Sequence, residues 1–287
     1  MSAVVAEIVP RDIIHPDTVG LYPLMFTGTI ENSADRMQVV ADQVGIPLLI
    51  TDSLEQKRRM IFDMKARDAH RPGPNFADAS KRRVEEMLPK LDGFKNRVGI
   101  GHSLGSVVIT GMQRYGEAKP FSIVELCDGF NVSRLGYIGF SLYQARDAVR
   151  ARIMNHRQSV PPIRRHDWSE YHDGHNETSI LRKMYNLGEL MGGAESEAGA
   201  LALAGDADLP LHVIGLTHGL SGSHRRHLMP FKAEIENARA RAVQQSNPDK
   251  PPVPFVFTVE DLWHSDILKP SVIAPNLART LAMLTAG

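Results

Sequence analysis

The residues most able to do chemistry are Gly101-His102-Ser103-Leu104-Gly105. A serine hydroxyl attacks a carbonyl only when a neighbouring base removes its proton and the chain presents it where a substrate can reach it. The flanking residues, Arg97-Val98-Gly99-Ile100 before the pentapeptide and Ser106-Val107-Val108-Ile109 after it, predict strand, sharp turn and helix. A serine at the apex of such a turn has a strained backbone, and glycines on either side let strand and helix approach each other. The hydroxyl is then expected to project into the open. The Leu104 N–H would stand at the helix N-terminus, where it can donate to an oxyanion. The plain alternative is a glycine-rich turn with an ordinary serine; the flanking strand and helix and the two strands upstream favour a nucleophile. His102 is expected to point away from Ser103 and to serve packing or support of the oxyanion loop.

A serine in that role needs a sheet to carry it. Short apolar runs at 22–26, 47–51, 97–101, 121–126, 211–216 and 254–259 predict at least six strands. Amphipathic segments between them predict helices at 33–44, with Ser33 as N-cap, and at 76–91, 104–115, 229–246 and 270–285. The polar stretches 31–35 and 52–57 read as loops. This alternation predicts the α/β class, with a mostly parallel sheet flanked by helices.

From Asp128 to Leu209 strand signals vanish and helix-compatible stretches replace them. One, 136–156, carries Tyr137, Phe140, Leu142, Val149 and Ile153 on an apolar face; another, 178–191, carries Ile180, Leu181, Met184, Tyr185 and Leu187. The expected organisation is a core at 1–129, a helical cap or lid inserted at 130–208 after the strand that follows the nucleophile helix, and a second core part at 209–287. An apolar cap face over a sheet would suit a substrate with a substantial hydrophobic portion.

Lysine plus arginine and aspartate plus glutamate both number 33 in the 287 residues, so no global field draws the chain to nucleic acid or an anionic membrane. The expected partner is a small molecule. A single cysteine, Cys127, forms no internal disulfide, and residues 1–9 lack the basic start and apolar run of a secretory signal, so a cytoplasmic protein is expected. No apolar run nears the roughly 20 residues a membrane-spanning helix needs. The sequons at Asn131 and Asn176 then read as chance. His166, Asp167, His172, Asp173 and His175 crowd one stretch and His218, His224 and His227 another, but neither has the spacing of a zinc site, and no metal is expected. The basic pairs Arg164-Arg165 and Arg225-Arg226 read as solubilising surface.

With Gly101 to Gly105 as its most specific motif, the chain resembles the α/β-hydrolase superfamily of serine esterases, lipases and thioesterases, from about Tyr22 to the C-terminus. Too few residues precede Tyr22 to supply comfortably the superfamily's usual first two strands. The resemblance implies a second oxyanion donor after the strand that precedes the first helix. There Phe26-Thr27-Gly28-Thr29 retains a glycine, making the Thr29 N–H the first candidate and Gly28 the next. It implies a histidine base after the last strand, which is His264, and an orienting carboxylate, usually after the penultimate strand. Here that position, Thr217-His218-Gly219-Leu220-Ser221-Gly222-Ser223-His224, holds no acid. Some members place the acid after the strand that follows the nucleophile helix, where this chain has Asp128; Glu260 and Asp261 are alternatives, as is a dyad without an acid. The implied activity is cofactor-free hydrolysis of an ester or thioester. Rival readings are a thioesterase or acyltransferase of an acyl-carrier pathway and a non-catalytic ligand-binding relative.

Overall fold

The computed structural model describes residues 4–24, 30–52, 74–103, 105–128, 187–218, 224–246, 253–263 and 269–285. Among the described residues seven strands form one sheet: β1 (Val4–Ile8), β2 (Thr18–Leu24), β3 (Leu48–Asp52), β4 (Asn96–His102), β5 (Ile123–Cys127), β6 (Leu211–His218) and β7 (Phe255–Trp263). Their spatial order is β1-β3-β2-β4-β5-β6-β7. β1 pairs antiparallel with β3 and every other neighbouring pair is parallel. Connections between parallel neighbours need crossovers, and the described residues supply six helices: α1 (Ile30–Val44), α2 (Pro74–Leu91), α3 (Gly105–Tyr115), α4 (Leu187–Ala204), α5 (His224–Gln245) and α6 (Pro270–Thr285).

Alternation along the strands sorts the side chains into two cores. On one face Val19, Leu21, Val124, Leu126, Leu211 and Val213 pack with buried residues of α2, α3, α4 and α5. On the other, Leu48, Ile50, Val98, Ile100 and Ile123 pack with Val40 and Ala41 of α1 and with Ile273, Leu277 and Leu281 of α6. Both faces of the inner strands are covered, which is why they read as continuous apolar runs. α2 and α6 each begin on proline, which lacks the N–H that a first helical residue cannot pair anyway. α1 stops at Gly45, whose φ of 68° is the left-handed conformation that ends helices.

The expected α/β architecture is present, with three differences of detail. The segment before Tyr22 holds a strand after all, since β1 needs only five residues to add antiparallel to the sheet edge, and β2 starts at Thr18. Residues 31–35 are helical, not a loop: nothing in Glu31-Asn32-Ser33-Ala34-Asp35 is glycine or proline, so α1 begins at Ile30 and Ser33 lies inside its first turn, not at the cap. β7 runs on to Trp263, so Glu260 and Asp261 are strand residues: Glu260 pairs with Leu216 of β6, and the ladder shifts register between there and the His218–Trp263 pair. Of the expected cap, the described part from Leu187 onward is α4, which packs on α3 and α5; the rest lies outside the described residues.

Candidate active site

β4 and β2 are neighbours, yet the chain leaves β2 for β3 on one side and returns to β4 on the other. Ligands in open α/β sheets bind where strand order reverses, beyond the carboxyl ends of the strands. Ser103 stands there, one residue past β4. Its φ of 52° is in the left-handed region. A non-glycine residue there carries about 1–3 kcal/mol of strain, so its surroundings must hold it. Ser103 N–H donates to Cys127 O at 2.8 Å, and Ser106 N–H donates back to Ser103 O at 3.0 Å. Ser106 Oγ donates to Gly101 O at 2.9 Å, tying the first turn of α3 to the strand end. Strand, turn and helix thus occur as expected, but the hydroxyl does not stand on open surface. Ser103 is only 7% exposed, because β4 is an interior strand flanked by β2 and β5 and covered by α3.

Asp128 follows β5, the strand next to β4, and its N–H donates to Ile214 O at 3.0 Å. It is fully buried, with a φ of 41°. Two consecutive strand ends at the sheet's reversal therefore carry side chains on strained backbone. Of the alternative acids, Glu260 is engaged by Arg279 Nη1 of α6 at 3.4 Å, and Asp261 accepts from Thr217 Oγ1. His264 directly follows β7 in the chain, as the base should, but it lies outside the described residues, as do Leu104, Thr27, Gly28 and Thr29. The histidine cluster at 166–175 lies outside them too, and the side chains of the 218–227 cluster are not described.

His102 does point away from Ser103, and what it meets was not expected. Its Nε2 lies 3.0 Å from Oε1 of Glu125, a fully buried residue in the middle of β5. Burial pulls the Glu125 carboxyl upward, but the bond and charge of His102, with His212 and Thr280, hold it below its ordinary 4.5. An ionised carboxylate only accepts, so His102 Nε2 and Thr280 Oγ1 are its donors. With its hydrogen committed, Thr280 Oγ1 accepts from His212 Nδ1 at 2.8 Å. His212 Nε2 is then left to accept from Thr258 Oγ1 at 3.2 Å. Burial lowers the His212 pKa despite nearby Glu125, in keeping with this neutral form. The edge of the Tyr22 ring meets the His102 ring at 5.3 Å between centroids and 89° between planes. The signal for this network was a carboxylate inside Ile123-Val124-Glu125-Leu126-Cys127 and a histidine inside Leu211-His212-Val213-Ile214, polar breaks in otherwise buried strands.

No family model matches the chain, and no curated protein matches it. Solved structures do. A thermostable carboxyl esterase from Bacillus coagulans superposes with a TM-score of 0.54 at 11% identity, covering 98% of this chain and 92% of its own. A lipase-esterase related protein from Clostridium acetobutylicum gives 0.52 at 11% identity, covering 98% and 99%. The Vlm2 thioesterase domain gives 0.50 at 13%, covering 97% and 98%. The likeness is one of fold, and with the strand order it establishes that this chain has the α/β-hydrolase fold. Among the described residues no helix is long and apolar enough to cross a membrane.

Proposed function

We propose that the protein is a serine hydrolase that cleaves a carboxylic ester or thioester through an acyl-enzyme on Ser103. The observation that carries the reading is Ser103 itself, held at positive φ beyond an interior strand where the strand order reverses. That the similar structures include a carboxyl esterase and a thioesterase domain supports acyl transfer as the reaction class.

In this mechanism Ser103 Oγ attacks the carbonyl carbon as its proton passes to His264. The N–H groups of Leu104 and Thr29, with Gly28 as alternative to Thr29, hold the oxyanion. The bond to the leaving alcohol or thiol breaks, His264 returns the proton to it, and water releases the acyl group by the same steps reversed. Asp128 orients His264; its place at the end of the strand beside the nucleophile favours it over Glu260 and Asp261, which lie within the edge strand β7. No cofactor is required. The substrate is a small acyl compound with a hydrophobic portion, and the lone buried Cys127 suits a cytoplasmic setting.

Ser103→Ala is expected to abolish hydrolysis of short p-nitrophenyl esters; full activity in that variant would refute the proposal. Turnover of acyl-CoA against simple esters of matched chain length separates thioester from ester preference.

A further inference from the structure

Among the described acidic side chains only Glu125 and Asp128 have no exposure at all. Asp128 ends a strand, whereas Glu125 sits within one, between Val124 and Leu126, which line the opposite core. Burying a carboxylate is costly, and a well-packed apolar residue of similar volume often serves stability as well or better. The placement asks for a role beyond packing.

The two oxygens of Glu125 go to different elements. Oε1 accepts from His102, the residue immediately before Ser103, whose ring is also braced by Tyr22. Oε2 accepts from Thr280 of α6, the helix that begins six residues after His264. A strained conformation such as that of Ser103 persists only where the surroundings over-determine it, and Glu125 holds the ring of His102, the residue immediately before it. We propose that Glu125 is a positioning residue, a single carboxylate clamping the elbow strand through His102 and α6 through Thr280, and so keeping Ser103 in register with the helix that follows the proposed base in the chain. This rests on the serine-hydrolase reading of Ser103.

The test compares Glu125→Gln, Glu125→Leu and Thr280→Val, with folding checked by circular dichroism and rates measured well below the thermal midpoint. Glutamine can still accept from His102 and donate to Thr280, so its kcat and its rate of fluorophosphonate labelling are expected within ~3-fold of wild type. Leucine breaks both ends; kcat and labelling rate are expected to fall ~10- to 100-fold with KM for p-nitrophenyl acetate within ~2-fold, since misplacement of about 1 Å acts on the transition state. Thr280→Val breaks one end and is expected to cost ~3- to 10-fold on the same measure. Added to Glu125→Leu it should change nothing further, because the two act as one unit. A merely structural role would lower the thermal midpoint but leave kcat per folded molecule unchanged. Wild-type kcat in folded Glu125→Leu overturns the clamp. If that variant does not fold, wild-type kcat in Thr280→Val does so, and Glu125→Gln falling as far as leucine or valine also overturns it. Failure of the wild-type protein to label at all overturns the serine-nucleophile reading instead, so the two failures are told apart.

Discussion

A methyl group at Gly101 would stand 2.6 Å from Ser106 Cα and 3.0 Å from Ser106 N, both backbone atoms at the start of α3. Relief requires the helix to move off the strand, and overpacking of this kind costs about 1–3 kcal/mol. Gly101→Ala is therefore expected to lower the urea midpoint and, by shifting Ser103 with the helix, to slow fluorophosphonate labelling more than ester binding. Cys127 lies one residue from Asp128, and burial, then the charges of Asp128 and Glu125, push its thiol well up. A covered, protonated thiol is a poor nucleophile. The native protein should resist iodoacetamide at pH 8 and react only on unfolding; rapid native labelling would show that the end of β5 opens. At this scale the strand, strained turn and helix around Ser103 were legible because their signal is local, five residues with a glycine on each side. Glu125 was not, because its meaning depends on His102 and Thr280, 23 and 155 positions away.

Among the elements, α4 and α5 present like charges to each other. Burial, then the charge of Glu234, raises the Glu197 carboxyl from 4.5 to about 7. A raised folded pKa means a contribution present below 4.5 and lost as pH rises toward about 7. Glu197→Gln should accordingly raise the thermal midpoint relative to wild type at pH 8, with the gain shrinking at pH 5. An equal gain at both values would place the cause in packing. The inner strands were readable because both faces are buried and the pattern is a plain apolar run. The edges were not: β1 is five residues including Glu7, and β7 continues through Glu260 and Asp261, since an edge strand tolerates polar side chains. The start of α1 was missed because its polar residues resemble a loop in composition while containing nothing that breaks a helix.

For the molecule as a whole, the buried network joins β4, β5, β6, β7 and α6 through His102, Glu125, His212, Thr258 and Thr280. Both His212, held below its ordinary 6.5, and Glu125, held below 4.5, have depressed folded values. Each contributes stability that is complete above its unfolded value and lost as pH falls, so acid should weaken the fold first below 6.5 and then further below 4.5. Because Glu197 acts with the opposite sign over part of that window, the comparison belongs in a Glu197→Gln background. There His212→Gln should flatten the decline of the thermal midpoint between pH 6.5 and 5, and an unchanged slope would remove His212 as its source. The proposed nucleophile, Ser103, occupies a far smaller part of the molecule. Treating the intact protein with a fluorophosphonate and mapping the adduct by peptide mass spectrometry tests that role most directly. One phosphonyl group per chain is expected, on Ser103, and none in Ser103→Ala. A stable adduct on another residue, or equal labelling of the Ser103→Ala variant, would contradict it.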